Sequence, residues 1–395
     1  MPVAYMSKRR VCVVTGSRAD YGLLHPLMDA LRSADDFELQ VIATGMHLAP
    51  EFGATYQAIE ADGFNIDARV DMLLSSDTPA GVAKSVGLGV IGFADALAVL
   101  QPDVVLVLGD RFEILAAVQA ALFARIPVAH IAGGDLTEGA VDDAIRHSIT
   151  KMAHLHFVTH ADAARRVRQL GEDPHHVFTV GSPGIDNLLR TARLNRAQLE
   201  TELELRFRPR NLLVTFHPST LEATPAAVQL QELFAALDTL GAGTGLIFTK
   251  PNADMGGREL GRRIDEFVAT RTHATAFTSL GNQRYYSLIA AVDAVVGNSS
   301  SGLYEVPSLS KPTVNIGDRQ KGRPRAASVI DCAPERSAIR AAIDTAYTLD
   351  CGDVVNPYGD GQSVARILAV LRQPFDAAML LQKAFIDQVA AHAVV

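Results

Sequence analysis

The sequence predicts an α/β protein built on two parallel sheets, and three observations carry that prediction. Short β-branched runs alternate with stretches of helical spacing along the whole chain. The runs "RVCVVTG" and "PDVVLVLGD" read as buried strands, as those of a parallel sheet covered on both faces do. The pattern also closes near residue 185 and then restarts, so the 395 residues divide into two domains of similar size, as that length leads one to expect.

Taken in order, "RVCVVTG" at 10–16 reads as a buried strand with Cys12 in the core, and "LLHPLMDALR" behind it has helical spacing. "FELQVIATG", "PDVVLVLGD", "IPVAHIAGG" and "HLHFVTH" are further strands, each followed by a polar turn or helix. "HVFTVGSPGIDNLL" at 176–189 closes this half, its "GSPG" reading as a turn and hinge. The second half brings five more strand-to-loop transitions: "NLLVTFHPS", "GLIFTKPN", "ATAFTSLG", "DAVVGNSSSG" and "KPTVNIGDR". The first domain is placed at 1–185 and the second at 186–373. A terminal segment, 374–395, with a helix at about 376–393, is expected to pack back on the first domain.

Composition narrows the function. A net charge of −8 argues against a dedicated nucleic-acid binder, which would be basic. Cys12, Cys332 and Cys351 lie far apart and form neither a disulfide framework nor a zinc pattern, so no metal is expected. No apolar run is read as reaching the roughly 20 residues that span a bilayer. The start, "MPVAYMSKRRVCVV", is not read as a signal peptide. The expectation is a cytoplasmic protein with no membrane partner.

In open α/β sheets, ligands bind beyond the carboxyl ends of strands. The chemically loaded loops of this chain sit at such ends, which places the expected site in a cleft between two facing domains. "TGSRADYG" at 15–22 offers Arg18 and a helix start to a phosphate; the same residues would make a solvated turn capped by Asp20. "GLGVIG" at 87–92 matches a dinucleotide fingerprint but follows a helical pattern, so helix packing is the reading and no nicotinamide cofactor is implied. "GDRFE" at 109–113 puts Asp110 beside Arg111, as a catalytic acid, an N-cap, or both.

"AHIAGGDLTEGAVDDAIRHSITK" at 129–151 ends an apolar run in paired glycines and then crowds Asp135, Glu138, Asp142, Asp143, Arg146 and His147. The i,i+4 pairs Asp142–Arg146 and Asp143–His147 would decorate any helix. They do not explain why a buried strand end delivers them. In the second half, "TFHPST" places His217 at a strand end, and "KPNAD" does the same for Asn252 and Asp254. "GNSSSGLYEVPSL" at 297–309 combines Gly297, Ser299, Ser300, Ser301 and Gly302 ahead of a helix, a cradle for a nucleoside diphosphate. Glu305 could accept two ribose hydroxyls, and Arg319, Lys321 and Arg323 add positive charge. No Lys-Ser/Thr pair follows, so this is not a Walker loop.

With "SRADYG", "GDRFE", "DDAIRHSITKMAHLHF", "HPST", "KPN" and "GNSSSGLYE" in this order, the chain resembles the hydrolysing UDP-N-acetylglucosamine 2-epimerases of sialic acid biosynthesis over about 10–370. The resemblance implies two Rossmann-like domains facing a cleft, as in GT-B glycosyltransferases, and a homodimer or homotetramer. It implies a UDP-sugar substrate, UDP as product, and no cofactor. Such enzymes eliminate UDP across C1–C2 in the anti sense, giving a 2-acetamidoglucal, and then add water to give free N-acetylmannosamine. Asp110 and Asp142 match two family carboxylates, and His217 matches a histidine near the pyrophosphate. Arg18, with Gly22 beside it, Arg111, Asn252, Phe277, Ser299, Ser300, Ser301, Glu305 and Arg319 match UDP contacts.

There is one departure. The sialic acid enzymes carry a catalytic Glu where this chain has Ala132, and Asp135 or Glu138 would have to replace it. UDP-N-acetylglucosamine is the first expected substrate. UDP-2,4-diacetamido-2,4,6-trideoxyglucose, with an acetamido group at C4 and no hydroxyl at C6, is the alternative that a smaller residue suits. An inactive UDP-sugar binder is the third reading.

Overall fold

The computed structural model describes residues 8–76, 78–137, 141–218, 224–251, 257–374 and 376–388. The chain forms two compact units, residues 1–187 with 359–395, and residues 188–358.

The first unit alternates strands and helices: β1 (Arg9–Thr15), α1 (Arg18–Ser33), β2 (Phe37–Thr44), α2 (Tyr56–Ala61), β3 (Ala68–Val70), α3 (Pro79–Leu100), β4 (Val104–Leu108), α4 (Phe112–Phe123), β5 (Val128–Ile131), α5 (Val141–Met152), β6 (Leu155–Val158), α6 (Ala161–Gln169), β7 (Val177–Thr179) and α7 (Pro183–Arg190). Its seven-stranded sheet has the order β3-β2-β1-β4-β5-β6-β7, and every pairing is parallel. Successive residues of a strand point to opposite faces. Val11 and Val13 join the core beneath α1, while Cys12 and Val14 join the one beneath α3 and α4. Cys12 is therefore core packing, as its apolar surroundings suggest. Burying each large side chain of these clusters contributes roughly 1.5–3 kcal/mol.

The second unit contains α8 (Arg196–Glu202), β8 (Arg210–Thr215), α9 (Ala226–Asp238), β9 (Thr244–Thr249), α10 (Gly257–Ala269), β10 (Ala274–Phe277), α11 (Gly281–Ala291), β11 (Ala294–Gly297), α12 (Ser301–Tyr304), β12 (Thr313–Ile316), β13 (Val329–Cys332) and α13 (Arg336–Ala346). Its six strands, also parallel, run β10-β9-β8-β11-β12-β13. One face is filled by Phe234, Phe248 and Phe267, with Phe234 stacked on Phe267 at 4.1 Å.

The chain returns to the first unit at Gly359, ahead of the expected 374, because α14 (Ser363–Arg372) belongs there. Val364, Ile367, Leu368 and Leu371 pack beneath α1, and the buried Asp186 carboxylate accepts from the backbone N–H groups of Ser363 and Val364, each at 3.1 Å. The "GSPG" turn lies against this helix start, where Ser363 donates to the Gly181 carbonyl.

Four further expectations are corrected. The last helix, α15, covers only Ala377–Leu381. Beyond it the chain is held by tertiary contacts: Lys383 donates to the Lys151 carbonyl, Ile386 N–H donates to Gly171 O, and Gln388 donates to Arg168 O. Strands β3 and β13, at the sheet edges, were not anticipated, since they are short and only partly buried. Helix α12 is a single turn, so little macrodipole stands behind the serine loop. Helix α3, finally, is long and apolar enough to cross a membrane by length and composition, alone in this among the described residues. In this fold Phe93 and Leu97 of α3 are core residues, whereas Ile91 and Val99 are exposed.

Candidate active site

Each sheet changes direction once: β1 is followed in space by β4, and β8 by β11. Ligands of open α/β sheets bind at such switch points. The loops after β1 and β4 carry Arg18, Asp110 and Arg111. The loops after β8 and β11 carry His217 and the three serines.

In the first unit the loop after β1 is a rigid turn. Ser17 caps α1, and the buried Asp20 carboxylate accepts from Gly16 N (2.8 Å), Ser17 N (2.7 Å) and Tyr21 N (3.0 Å). The capping role for Asp20 holds, and it presents Arg18, exposed, as the first residue of the helix. Gly22 lies in the same helix, its carbonyl accepting from Asn187. Arg111 is held by a second buried acid that the sequence reading passed over: Glu113 accepts from Arg111 at 2.8 and 3.2 Å and is inaccessible to solvent. A carboxylate in "GDRFE" at the first turn of α4 was the signal for it. Arg111 is raised above its ordinary range; burial opposes this, but Glu113, Asp20 and Asp142 outweigh it.

Asp110 follows Gly109, which takes the left-handed φ of 80° at the end of β4. Its partner is Arg146 of α5, a buried side chain that donates to the Asp110 carboxylate. The expected Asp142–Arg146 pair is therefore corrected, while Asp143 does face His147, at 3.5 Å. Burial is the largest influence on Asp110 and raises its carboxyl; Asp142 adds to this, and Arg146 and Arg111 oppose it. Asp110, Arg111, Asp142 and Arg146 thus form one electrostatic cluster. Among the described residues, Arg146 Nε is buried with no hydrogen-bond partner.

The residues around Ala132 behave differently. Ala132 ends β5 in the left-handed region, φ 64°, its N–H donating to Phe157 O at 3.0 Å. Such a conformation costs an L-residue about 1–2 kcal/mol. Asp135 is buried and committed to Thr159, which donates at 2.6 Å, and to His160 at 3.2 Å. Glu138 lies outside the described residues.

In the second unit, Gly297 must be glycine: with φ 139° at the end of β11, any Cβ would overlap the Thr215 carbonyl. Asn298, buried, locks the two loops together. Its side chain accepts from His217 N at 2.7 Å and donates to His217 O at 2.9 Å, and its carbonyl accepts from Arg319 (3.0 Å) and Gln320 (2.8 Å). Asn298 was not singled out from sequence. Ser299, Ser300 and Ser301 follow, partly exposed, with Ser301 N–H directed at Ser299 Oγ (3.4 Å). Burial raises the Glu305 carboxyl, with the nearby Ser301 opposing the shift, and its Oε2 is buried without a partner among the described residues. Phe277 packs at the edge of the cluster that contains Tyr286 and Leu280. Asn252 and Asp254 lie outside the described residues. Among the described residues no group of His, Cys, Asp or Glu could hold a metal ion.

The first unit thus carries a cluster of acids and arginines at the end of β4, and the second a serine-rich loop after β11. The family described as UDP-N-acetylglucosamine 2-epimerase matches residues 29–372. A GDP/UDP-N,N'-diacetylbacillosamine 2-epimerase (hydrolyzing) of Campylobacter jejuni is 43% identical over 82% of this chain and 85% of its own. Polysialic acid biosynthesis protein P7 of Escherichia coli is 36% identical over 92% of this chain and 94% of its own. A UDP-N,N'-diacetylbacillosamine 2-epimerase (hydrolyzing) of Legionella pneumophila is 33% identical over 92% and 96%. The crystal structure of a Neisseria meningitidis UDP-GlcNAc 2-epimerase bound to UDP-GlcNAc superposes with a TM-score of 0.72 at 18% identity, over 92% of this chain and 99% of that one, and shows the shared fold.

Proposed function

The chain belongs to the hydrolysing UDP-N-acetylglucosamine 2-epimerase family, and from that premise we propose that its substrate is UDP-2,4-diacetamido-2,4,6-trideoxyglucose. The products are UDP and the free 2-epimeric, manno-configured sugar. The observation that carries the choice of sugar is Ala132, where the sialic acid enzymes it resembles have a glutamate. Two relatives named for N,N'-diacetylbacillosamine, the same 2,4-diacetamido-2,4,6-trideoxy sugar, support it.

The chemistry follows from the groups present. A carboxylate removes the C2 proton; the C2–H electron pair becomes the C1=C2 bond, and the C1–O pair leaves with UDP. Water then adds across that bond, hydroxyl to C1 and proton to C2. Asp110 and Asp142 divide these proton transfers, each worth about 10²–10⁴ in rate. Burial raises the Asp110 carboxyl and so makes it a stronger base than an ordinary aspartate, and Arg146 and Arg111 oppose that rise. Asp135, engaged with Thr159 and His160, positions the loop rather than transferring protons. In the second unit His217, Ser299, Ser300, Ser301 and Arg319 bind and stabilise the departing diphosphate. Glu305 Oε2, which finds no donor among the described residues, takes a ribose hydroxyl. The exposed apolar face of α3, with Ile91 64% and Val99 82% exposed, supports a homo-oligomer.

UDP-N-acetylglucosamine is the second reading, favoured by the relative named for polysialic acid biosynthesis. Proton NMR in D₂O, with each UDP-sugar in a separate tube, tests both. Free UDP with a manno sugar deuterated at C2 is expected, faster with the diacetamido substrate. Turnover of UDP-N-acetylglucosamine alone would reject the assignment of the sugar. Two inert tubes would reject the reaction.

A further inference from the structure

Beyond the acids themselves, we infer that His130 is the positioning residue that fixes Asp110 against Arg146, by tying the turn that carries one to the helix that carries the other. The inference rests on the hydrolysing epimerase reading and adds a residue to it.

His130 sits in β5, paired in register with Val107 of β4 on one side and His156 of β6 on the other. It is inaccessible to solvent. Its Nε2 lies 2.8 Å from the carbonyl oxygen of Gly109, the residue before Asp110. Its Nδ1 lies 3.2 Å from the hydroxyl of Thr150, and that hydroxyl is 2.9 Å from the Arg146 carbonyl one turn earlier in α5. Arg146 donates to Asp110. The contacts close a ring: His130, Gly109, Asp110, Arg146, Thr150 and back to His130. A second bond, Gly109 N–H to Ile131 O at 3.0 Å, holds the same turn to the main chain of β5.

The tautomer follows from the partners. A carbonyl only accepts, so Nε2 carries the proton and Nδ1 is the acceptor that faces Thr150, whose single hydroxyl proton is shared between Nδ1 and the Arg146 carbonyl. Burial holds the imidazole down to about 3, so the ring stays neutral and the assignment does not change across neutral pH. The groups that face it are His156 on β6, Arg146 on α5, and Asp135 beyond β5. The paired glycines after Ala132 acquire a reason here: a Cβ on Gly133 would come within 2.9 Å of Thr150 Oγ1 and 3.0 Å of His130 Nδ1. A side chain at 133 would press apart the hydroxyl and the ring that must meet.

Phenylalanine fills the ring's space and removes both bonds. Glutamine can still place an N–H near the Gly109 carbonyl. Valine at 150 removes one hydroxyl and keeps the shape. The test compares wild type, H130F, H130Q and T150V by NMR-detected UDP release on the substrate that wild type turns over, from about pH 5.5 to 9. H130F is expected to lose about 10–100-fold in kcat through misplacement of the base, with KM within about threefold. Its acid limb should move to higher pH, because a loosened Arg146 no longer holds the Asp110 carboxyl down. H130Q should recover at least about half of the lost activation free energy, and T150V should show a smaller loss with the limb moved the same way. An H130F enzyme with wild-type kcat and an unmoved limb overturns the inference. So do losses in all variants that follow the folded fraction alone. If H130F does not fold, T150V decides: wild-type rates and an unmoved limb refute the role. Wild-type inactivity towards both UDP-sugars would instead remove the functional reading, and this inference with it.

Discussion

Replacing Arg146 by methionine isolates what the guanidinium does for Asp110. The two side chains are 10% and 20% exposed. At an effective dielectric of about 20, opposite charges about 4 Å apart attract by about 4 kcal/mol, and the remaining solvent contact of Asp110 reduces this to about 2 kcal/mol. Methionine keeps most of the volume, so packing loss is small. The carboxyl is already raised by burial, with Arg146 the main opposing influence. Its removal raises the carboxyl further, and about 2 kcal/mol corresponds to roughly a 30-fold depletion of the ionised form below the acid limb. The sign for stability is fixed by the same shift. A carboxyl whose folded-state pKa lies above its unfolded value favours the fold at low pH and loses that contribution as pH rises through the folded pKa. R146M should therefore be destabilised more at pH 8 than at pH 5. At pH 8 the loss should be about 2 kcal/mol, or about 4–8 °C in Tm for a unit of this size. The assays are kcat against pH by UDP release and Tm against pH by calorimetry, with R146K as the charge-retaining control. An acid limb that stays in place in R146M, or a Tm deficit that grows towards acid pH, would refute the electrostatic account.

Other expectations are more local. Gly297→Ala should cost at least about 3 kcal/mol of stability, because its Cβ overlaps the Thr215 backbone and the φ of 139° is closed to alanine; a Tm within about 2 °C of wild type would contradict this. Ile91→Glu, on a helix whose Leu88 is also 43% exposed, should convert an oligomer into a monomer by light scattering; a monomeric wild type would end that reading. Glu172 is buried and accepts from His156, Lys151 and Lys383 at 2.9, 2.8 and 2.7 Å. Burial pushes its carboxyl up, yet these donors hold it down at about 2. Its stabilisation is present above the ordinary value of 4.5 and is lost as pH falls from there through about 2. Glu172→Gln should cost about 3–5 kcal/mol at pH 7 and flatten the acid end of the Tm profile; an unchanged slope below pH 4.5 would count against it.

The strands that position the site were legible because each is a short apolar run, as in Val104–Leu108, or apolar with a single buried histidine, as in Val128–Ile131. The glycines beyond them were legible as turn residues for the same reason that they are needed: Gly109 and Gly297 occupy backbone regions that other residues avoid. The edge strands were not. Val329–Cys332 carries Asp331 and is only partly buried, so it lacks the continuous apolar signal of its neighbours. The terminal helix failed differently. Residues 382–388 have helical composition, but Lys383 gains the buried Glu172 and Phe385 packs over Lys151 at 4.8 Å, and those contacts require an extended chain.

What sequence could not supply was the choice of partner. Helical spacing offers Arg146 two acids, Asp142 and Asp143, four and three residues earlier on the first turn of α5. A pair of that kind is worth about 0.3–0.5 kcal/mol. Arg146 is itself 8% exposed, and its guanidinium must find a countercharge where water is scarce. The parallel register of β4 on β5, Leu108 opposite Ile131, brings the end of β4 alongside the end of β5, and the burial of Asp110 there makes it the acid with most to lose if left unpaired. The tertiary pair wins because both of its members are buried, whereas the helical pair would have left Asp110 buried alone. Asp142 is thereby left at the solvent end of the cluster, close enough to raise the Asp110 carboxyl but not bound by its cation. The proposed reaction assigns its two successive proton transfers to this pair, the buried Asp110 and the exposed Asp142.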